Sequence, residues 1–429
     1  MTANGFAPLI RDRAFGRLWF IQASTQVGGN MSLYALTILV FATTRSNAAV
    51  SALVMSFLIP TIFLSAVAGV LVDRLDVRWA LIVPNAIRTL LTVGLAAAGA
   101  NVAALLVLNL GISLTTVVLT PAEGSMIPRI VPKPPLQAAM GIFNLTLQAS
   151  FAIGFAFLGP LLVTVAGPSV VLGVVAVFYA AATAVTLQLP SAPPIATDRA
   201  DVRRKTVQRA VRDLVGQLRD GLVAIGGNRE VARPLAHLAL AASLVGVVGV
   251  LGPSLASSFG LDPQRLIVLV LPLGLGVVAG VFAVNRFGAA LPRRRAAEGG
   301  LVAFGLLAAA IAAIATVAAA GGSSALPLIP LVAVLAFVAG SAYATTLVSA
   351  QTALFENMAA DVRGRVFGVL ASIVSAASLI PILIAGPLAD AITGPLVISI
   401  AAVGVVIMAF WSATLFGPRP QGYKAPKTS

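Results

Sequence analysis

The stretch AVSALVMSFLIPTIFLSAVAGVLV, residues 49–72, carries no charge and runs straight into DRLDVR, residues 73–78. An α-helix of about 20 apolar residues crosses the roughly 30 Å hydrocarbon core of a bilayer. In lipid a helix satisfies its own backbone, whereas in water this segment would have to bury its whole circumference. The charged turn at 73–78 is where such a helix meets water.

Working outward, eleven further stretches of the same kind appear. The spans read as 18–42, 49–72, 79–99, 102–125, 140–165 and 169–188, then 233–258, 265–285, 299–320, 326–350, 366–386 and 392–415. Basic residues collect on alternate sides of them. With the amino terminus in the cytoplasm, 25 of the 28 Lys and Arg fall in cytoplasmic tails and loops. Arg45 and Arg265 fall outside, and Arg88 lies within a span. Such a bias sets membrane orientation, and a missing or extra span would destroy it. The expectation is an all-α integral membrane protein of 12 helices in a 6+6 arrangement, multi-pass in a bacterial cell membrane with both termini cytoplasmic. Its parts are a six-helix bundle at 1–188, a linker at 189–232, a second bundle at 233–415 and a tail at 416–429.

Composition agrees. The 429 residues are 59% hydrophobic and 10% charged, against about 25% charged in soluble domains. A net charge of +14 would suit a nucleic-acid binder, but these charges sit in short loops between apolar spans, which excludes that partner. The chain has no Cys and a single His, His237, so thiolate and multi-His metal sites are excluded. No phosphate-cradling Gly-rich loop ending in Gly-Lys-Ser/Thr occurs, and no cofactor is expected. Met1 to Leu18 lacks the order of a signal peptide and reads as a retained tail.

The connection 189–232 opens with Pro190, Pro193 and Pro194, which stop a helix from running through. Val207, Val211, Leu214, Leu218, Leu222 and Ile225 follow at helical spacing among charges, the pattern of an amphipathic linker helix. The two halves echo each other: Gly159-Pro160 answers Gly386-Pro387, and the loop with Arg129 and Lys133 answers the loop with Arg363 and Arg365. Two related bundles around a midplane site are the geometry of alternating access.

Several residues stand out from this background. Gly69, Asp73, Arg74 and Arg78 form a charged junction suited to conformational gating, with Arg363 and Arg365 at the matching turn of the second half. Gln22, Gln26 and Asn30 give the first span one polar face, which must point inward in a membrane. Arg88 and Glu123 are charges inside spans, where each needs a protein or water environment. These five, with Asn144 and Glu356, are the candidates for substrate contact or coupling. The specific expectation is that Glu123 changes protonation during transport while Arg88 tunes it or binds an anionic substrate. Gly154, Gly159, Pro160, Gly386 and Pro387 read as helix-packing and bending positions. Asp390 reads as a solvated loop residue or an external gate, and His237 as a hydrogen-bonding core residue.

The run Gly69-Val-Leu-Val-Asp73-Arg74-Leu-Asp76-Val-Arg78 resembles the loop motif of the major facilitator superfamily. It departs at Leu75 and Asp76, and Trp79 stands where another basic residue is often found. Phe15-Gly-Arg17-Leu-Trp19 with Gln22 and Gln26-Val-Gly28, Pro121-Ala-Glu123 with Pro128, Pro132 and Asn144, and Asp361-Val-Arg363-Gly-Arg365-Val366 resemble the superfamily's drug-efflux branch, which includes enterobactin exporters. That resemblance implies export of a small molecule, often against proton entry. Branch members often carry an acid near the position of Gly29, where this chain has Gly28-Gly29-Asn30.

The leading expectation is therefore a non-enzymatic secondary exporter of an amphiphilic molecule such as a drug or siderophore. It would work by proton antiport, as a functional monomer in the lipid bilayer. Proton-coupled or facilitated uptake is the alternative; a non-transporting receptor or scaffold, or a membrane transferase, stands further off.

Overall fold

A computed structural model describes residues 9, 11–131, 135–193, 216, 229–288, 292–320, 326–356 and 363–415. The linker helix expected within 189–232, Lys133 and the tail at 416–429 lie outside the described residues, apart from 189–193, 216 and 229–232. The helices are α1 (Arg13–Thr44), α2 (Asn47–Arg74), α3 (Val77–Ala97), α4 (Val102–Ile130), α5 (Leu136–Ser150), a π-helical turn (Phe151–Leu158), α6 (Gly159–Ala166) and α7 (Pro168–Thr186). The second set is α8 (Arg229–Ser258), α9 (Ile267–Phe287), α10 (Arg293–Ala320), α11 (Ile329–Glu356), α12 (Arg363–Ala391) and α13 (Gly394–Leu415). With α5, the π turn and α6 forming one continuous crossing, 12 helices are long and apolar enough to span a membrane. The all-α expectation is met.

Caps mark where the chain leaves lipid. Asp12 accepts from the amides of Ala14 and Phe15 to start α1, and Ser46, Asp76 and Asn101 do the same for α2, α3 and α4. Several helices run past their apolar spans at the end rich in arginine: α1 begins at Arg13 and α4 continues to Ile130. Hydropathy sees the lipid boundary, whereas the hydrogen-bonded ladder continues into water. Large apolar side chains such as Leu90, Val165 and Phe282, each more than 70% exposed, cover the flanks and suit hydrocarbon contact.

The π turn has a local cause. Pro160 has no amide to donate and its ring crowds the carbonyl four residues back, so a regular ladder cannot continue through it. The preceding turn widens instead, with the Gly159 amide bonding the Gly154 carbonyl. Gly154 then lies against α1, where a Cβ would come within 2.5 Å of the Val27 carbonyl oxygen and 2.8 Å of Asn30 Cβ. Gly154 and Gly159 thus sit at close approaches to α1, and Pro160 follows directly on the widened turn.

The buried core shows how the two sets of helices meet. At the end away from the arginines one apolar cluster contains residues of both, among them Tyr34, Val50 and Leu53 with Val247, Leu251 and Ile382. At the arginine-rich end the clusters are separate: Phe15, Leu81 and Met126 belong to one, and Leu235, Ala297 and Leu354 to another. Among the described residues the halves are joined at the far end and parted at the basic end.

Within the second set, α9 and α11 approach backbone to backbone. A Cβ on Gly276 would overlap the Phe337 carbonyl, and one on Gly340 would overlap the Leu273 carbonyl. In lipid such packing replaces the hydrophobic effect as the force between helices. Gly340→Val should therefore cost about 3 kcal/mol through overpacking and lower the melting temperature of the purified protein. Gly173→Ala, where a Cβ meets nothing within 4 Å, should leave it unchanged.

Candidate functional site

A cavity of about 740 Å³ sits among α1, α2, α3, α4 and α7, and the two buried charges of the first half, Arg88 and Glu123, lie on its wall. Its lining includes Gln26, Gly29 and Asn30 from α1, Arg88 from α3, Asn109 and Glu123 from α4, and Tyr179 from α7. Helical spacing puts Gln26 and Asn30 one turn apart, and Asn30 Nδ2 donates to the Gln26 carbonyl at 2.9 Å. Gln22, a turn earlier, turns away: it donates to the Phe143 carbonyl of α5 at 3.3 Å and does not line the cavity. The three residues therefore divide, with interhelical bonding at Gln22 and cavity lining at Gln26 and Asn30.

Arg88 is 5% exposed and Glu123 6%. Arg88 Nη2 donates to the Tyr179 hydroxyl at 2.7 Å, and its Cζ lies 4.1 Å from the centre of the same ring. Tyr179 thus meets the cation by hydrogen bond and by ring face. Arg88 Nε has no hydrogen-bond partner. Glu123 shares the cavity and is the carboxylate that Arg88 acts on electrostatically, yet among the described residues the two form no ion pair. Tyr179 escaped the sequence reading because nothing in its apolar helix advertises a partner ninety-one positions away.

The other candidates lie elsewhere. Asn144 is exposed and donates to the Met140 carbonyl of its own helix. Glu356 is exposed and pairs with Arg293 at 3.6 Å, away from the polar cavity. Arg363 and Arg365 open α12, but their side chains lie outside the described residues. His237 is buried, with Nε2 3.1 Å from the Ser412 hydroxyl, as a core hydrogen-bonding histidine should be. Nearby, Arg233 pairs with Glu298 at 2.5 Å. A second cavity, about 1110 Å³, is almost entirely apolar, with Phe151, Phe155, Phe304 and Tyr343 on its walls.

At the basic end the charged junction lies between the end of α2 and the start of α3. Gly69 has no neighbour within 4 Å of a built Cβ, so no close helix approach depends on it here. Asp73 and Arg74 are exposed. The hub is Asp76, the residue at which the loop departs from the superfamily pattern. Its carboxylate accepts from Ser191 Oγ at 2.6 Å and from the amides of Arg78 and Ala192 at 2.9 and 3.2 Å. Slight burial pushes the Asp76 carboxyl up, but these hydrogen bonds and the charge of Arg129 outweigh it and hold the group below its ordinary range. Arg78 donates to the Leu187 carbonyl, Arg17 to Gln188 at 2.9 Å, and Arg129 to Ala192 and Pro193 at 2.8 and 2.5 Å. Together they clasp residues 187–193, the chain leaving α7, onto the first half. A lowered carboxyl contributes stability at neutral pH that is lost as pH falls through the folded value. Asp76→Asn should therefore speed amide hydrogen exchange across 187–193 at neutral pH, and the difference from wild type should vanish below the usual carboxylate range.

The far end is held by Asp390, expected from sequence as a solvated loop residue or an external gate. It is the penultimate residue of α12 and caps the start of α2 across the gap between halves. Its carboxylate accepts from Ser46 Oγ at 2.6 Å, the Asn47 amide at 2.7 Å, Asn47 Nδ2 at 2.9 Å and the Ala48 amide at 3.0 Å. Ser51 Oγ adds a bond to the Ile382 carbonyl at 2.8 Å. A Cβ on Gly386 would overlap Ser51 Oγ and the Asn47 carbonyl, so the glycine permits this crossing. Thr164 donates to the Gln264 carbonyl at 3.1 Å on the other side of the same end. These hydrogen bonds between the halves all lie at the one end.

Twelve helices long and apolar enough to cross a membrane, joined at one end and parted at the other, thus enclose a buried acid and base. A model of the Major Facilitator Superfamily matches residues 18–381, and the chain belongs to that family. Curated protein sequences yield no match. Among solved structures, the nucleoside transporter NupG superposes with a TM-score of 0.70 at 17% identity, covering 95% of this chain and 100% of that one. A POT family transporter in complex with a thioalcohol-conjugated peptide gives 0.66 at 12%, covering 94% and 96%. The human organic anion transporter MFSD10 (TETRAN) gives 0.61 at 15%, covering 93% and 98%. At these identities the likeness is one of fold.

Proposed function

We propose that this protein moves a small organic solute with a polar group across its membrane by proton-coupled or facilitated uptake, using the first-half cavity as its binding site. The observation that carries the reading is that one buried acid, Glu123, and one buried base, Arg88, share a cavity with no ion pair among the described residues. A permanently neutral packing core has no use for either charge, and isolated charges in hydrocarbon are costly. Glu123 is the proton-responsive group, and Gln26 and Asn30 supply neutral contacts. Two bundles, 1–188 and 233–415, rock about the linker 189–232, with both termini and the basic end in the cytoplasm and the protein acting as a monomer. The arrangement is then the inward-facing state, closed outside by Asp390. Gly69, Asp73, Arg74 and Arg78 with Arg363 and Arg365 act at the basic end when that side shuts.

Uptake takes precedence over the exporter expectation for two reasons. Position 29 lacks the acid on which the antiport resemblance leans. The structural relatives named above are described by polar solutes: nucleosides, a peptide conjugate and organic anions. Export of a drug or siderophore by proton antiport is the second reading, favoured by the Gly154–Pro160 turn packed on α1.

Oriented proteoliposomes test the reading. With an inward proton gradient, uptake predicts solute accumulation from the side of proton entry, whereas antiport predicts expulsion. Ligand binding with no flux in either direction would sink the transport reading of the cavity.

A further inference from the structure

Gly29 faces the cation. A Cβ built there would lie 3.5 Å from the Tyr179 hydroxyl and 3.7 Å from Arg88 Nη2, in ordinary contact with both. Position 29 is therefore a notch in the cavity wall, empty of side chain, directly beside a guanidinium that is 5% exposed and, among the described residues, holds no carboxylate. Among the described residues its Nε is unpartnered, and its Nη2 donates to the Tyr179 phenol. A planar guanidinium presents a fork of donors matched to a carboxylate, and a buried one left short of acceptors is costly.

We propose that the notch formed by Gly29, Arg88 and Tyr179 binds the carboxylate of an organic anion, and that this binding is linked to uptake of one proton at Glu123. The proposal rests on the cavity being the transport site and adds the chemical class of its substrate.

The linkage follows from counting charges. The ionisable groups on the cavity wall are Arg88, Glu123 and Tyr179; Thr25, Gln26, Asn30, Asn109, Thr116 and Thr120 are neutral. Off the cavity wall, α4 carries Arg129 and the helices packed on it carry Arg13, Arg17, Asp73, Arg74 and Arg78, all toward the basic end, and Tyr34 toward the far end. One cation thus serves two anions. With Glu123 ionised, an incoming carboxylate leaves a net negative charge inside the protein. With Glu123 protonated, the carboxylate and Arg88 balance. Anion binding therefore favours protonation, and protonation favours anion binding by the same factor. The anion and proton travel together as a neutral pair, which is symport. A cationic solute would reverse the sign, since it would compete with the proton for Glu123, and antiport would follow.

The purified full-length protein can be tested with acetate, benzoate, 4-phenylbutyrate and decanoate, each beside its amide. Thermal stabilisation reports binding, and calorimetry in buffers of different ionisation enthalpy reports protons taken up. At least one carboxylate should bind tenfold or more tighter than its amide, with proton uptake approaching one per ligand. Glu123→Gln should keep the preference and lose the proton uptake. Gly29→Asp supplies an internal carboxylate to Arg88 and should abolish the preference, while Gly29→Asn, which fills the notch without charge, controls for lost space. Equal binding of acid and amide across all four pairs overturns the proposal. So does a folded Gly29→Asp protein that retains the preference. Flux without carboxylate preference would remove this subsite and leave the transport reading intact; carboxylate binding without flux would do the opposite.

Discussion

Asp390→Ala is expected to open the far end of the molecule. The carboxylate collects four hydrogen bonds from Ser46, Asn47 and Ala48 across the two halves. It also places a negative charge at the N-terminus of α2, where unpaired amides favour one. Hydrogen bonds to a charged group are worth about 1.5–3 kcal/mol each. Because Asp390 is solvent-exposed, water replaces most of that, and a net loss of about 2 kcal/mol is the reasonable magnitude. It would shift the equilibrium between open and closed far ends roughly thirty-fold. Ser51 and Gly386 remain in place, so the variant should fold and the far end should loosen rather than dissociate. The chain has no cysteine, so Thr43→Cys with Thr393→Cys gives a single pair of spin labels across the far end. The expected result is a new population at longer distance in Asp390→Ala. An unchanged distance distribution would show that apolar packing alone, through residues such as Leu53 and Ile382, holds that end shut.

The contrast between what sequence revealed and what it hid has a physical basis. Apolar runs and basic flanks are one-dimensional signals of partition between lipid and water, so the twelve crossings and the uneven ends could be read directly. Buried charge is likewise legible, because Arg88 and Glu123 have no reason to lie in apolar helices unless something inside requires them. Partnership is not legible. Asp390 could be read as a loop residue or an external gate, and nothing local chose between them, because its partners lie 342 to 344 positions earlier. Asp76 looked like a flaw in a motif, although it gathers the local bonds that Asp73 was expected to make. Ser46 caps α2 from within its own segment, and nothing local tells that a distant carboxylate shares that helix start. Gln22, Gln26 and Asn30 shared a helical face, yet the crossing of α5 divides that face between packing and cavity. Gly276 and Gly340 were lost in a glycine-rich region, where only the meeting of two helices singles them out.

Glu123→Gln should separate binding from energy coupling. Glutamine keeps the size and one acceptor of the carboxylate but cannot exchange a proton, and it leaves Arg88 as the only charge on the cavity wall apart from the ionisable Tyr179. If one proton moves with each solute molecule, a gradient of one pH unit supplies about 1.4 kcal/mol, enough for a roughly tenfold solute gradient at steady state. Wild-type proteoliposomes should thus build about tenfold accumulation per unit of imposed pH difference, and the Gln variant should build none. Exchange of labelled for unlabelled solute at equal concentration needs no net proton movement. It should persist in the variant and become insensitive to pH. That retained exchange distinguishes uncoupling from misfolding, because a collapsed cavity would lose both activities. Accumulation of undiminished size with unchanged pH dependence in Glu123→Gln would place the coupling proton on another group. It would reduce Glu123 to a fixed counter-charge for Arg88.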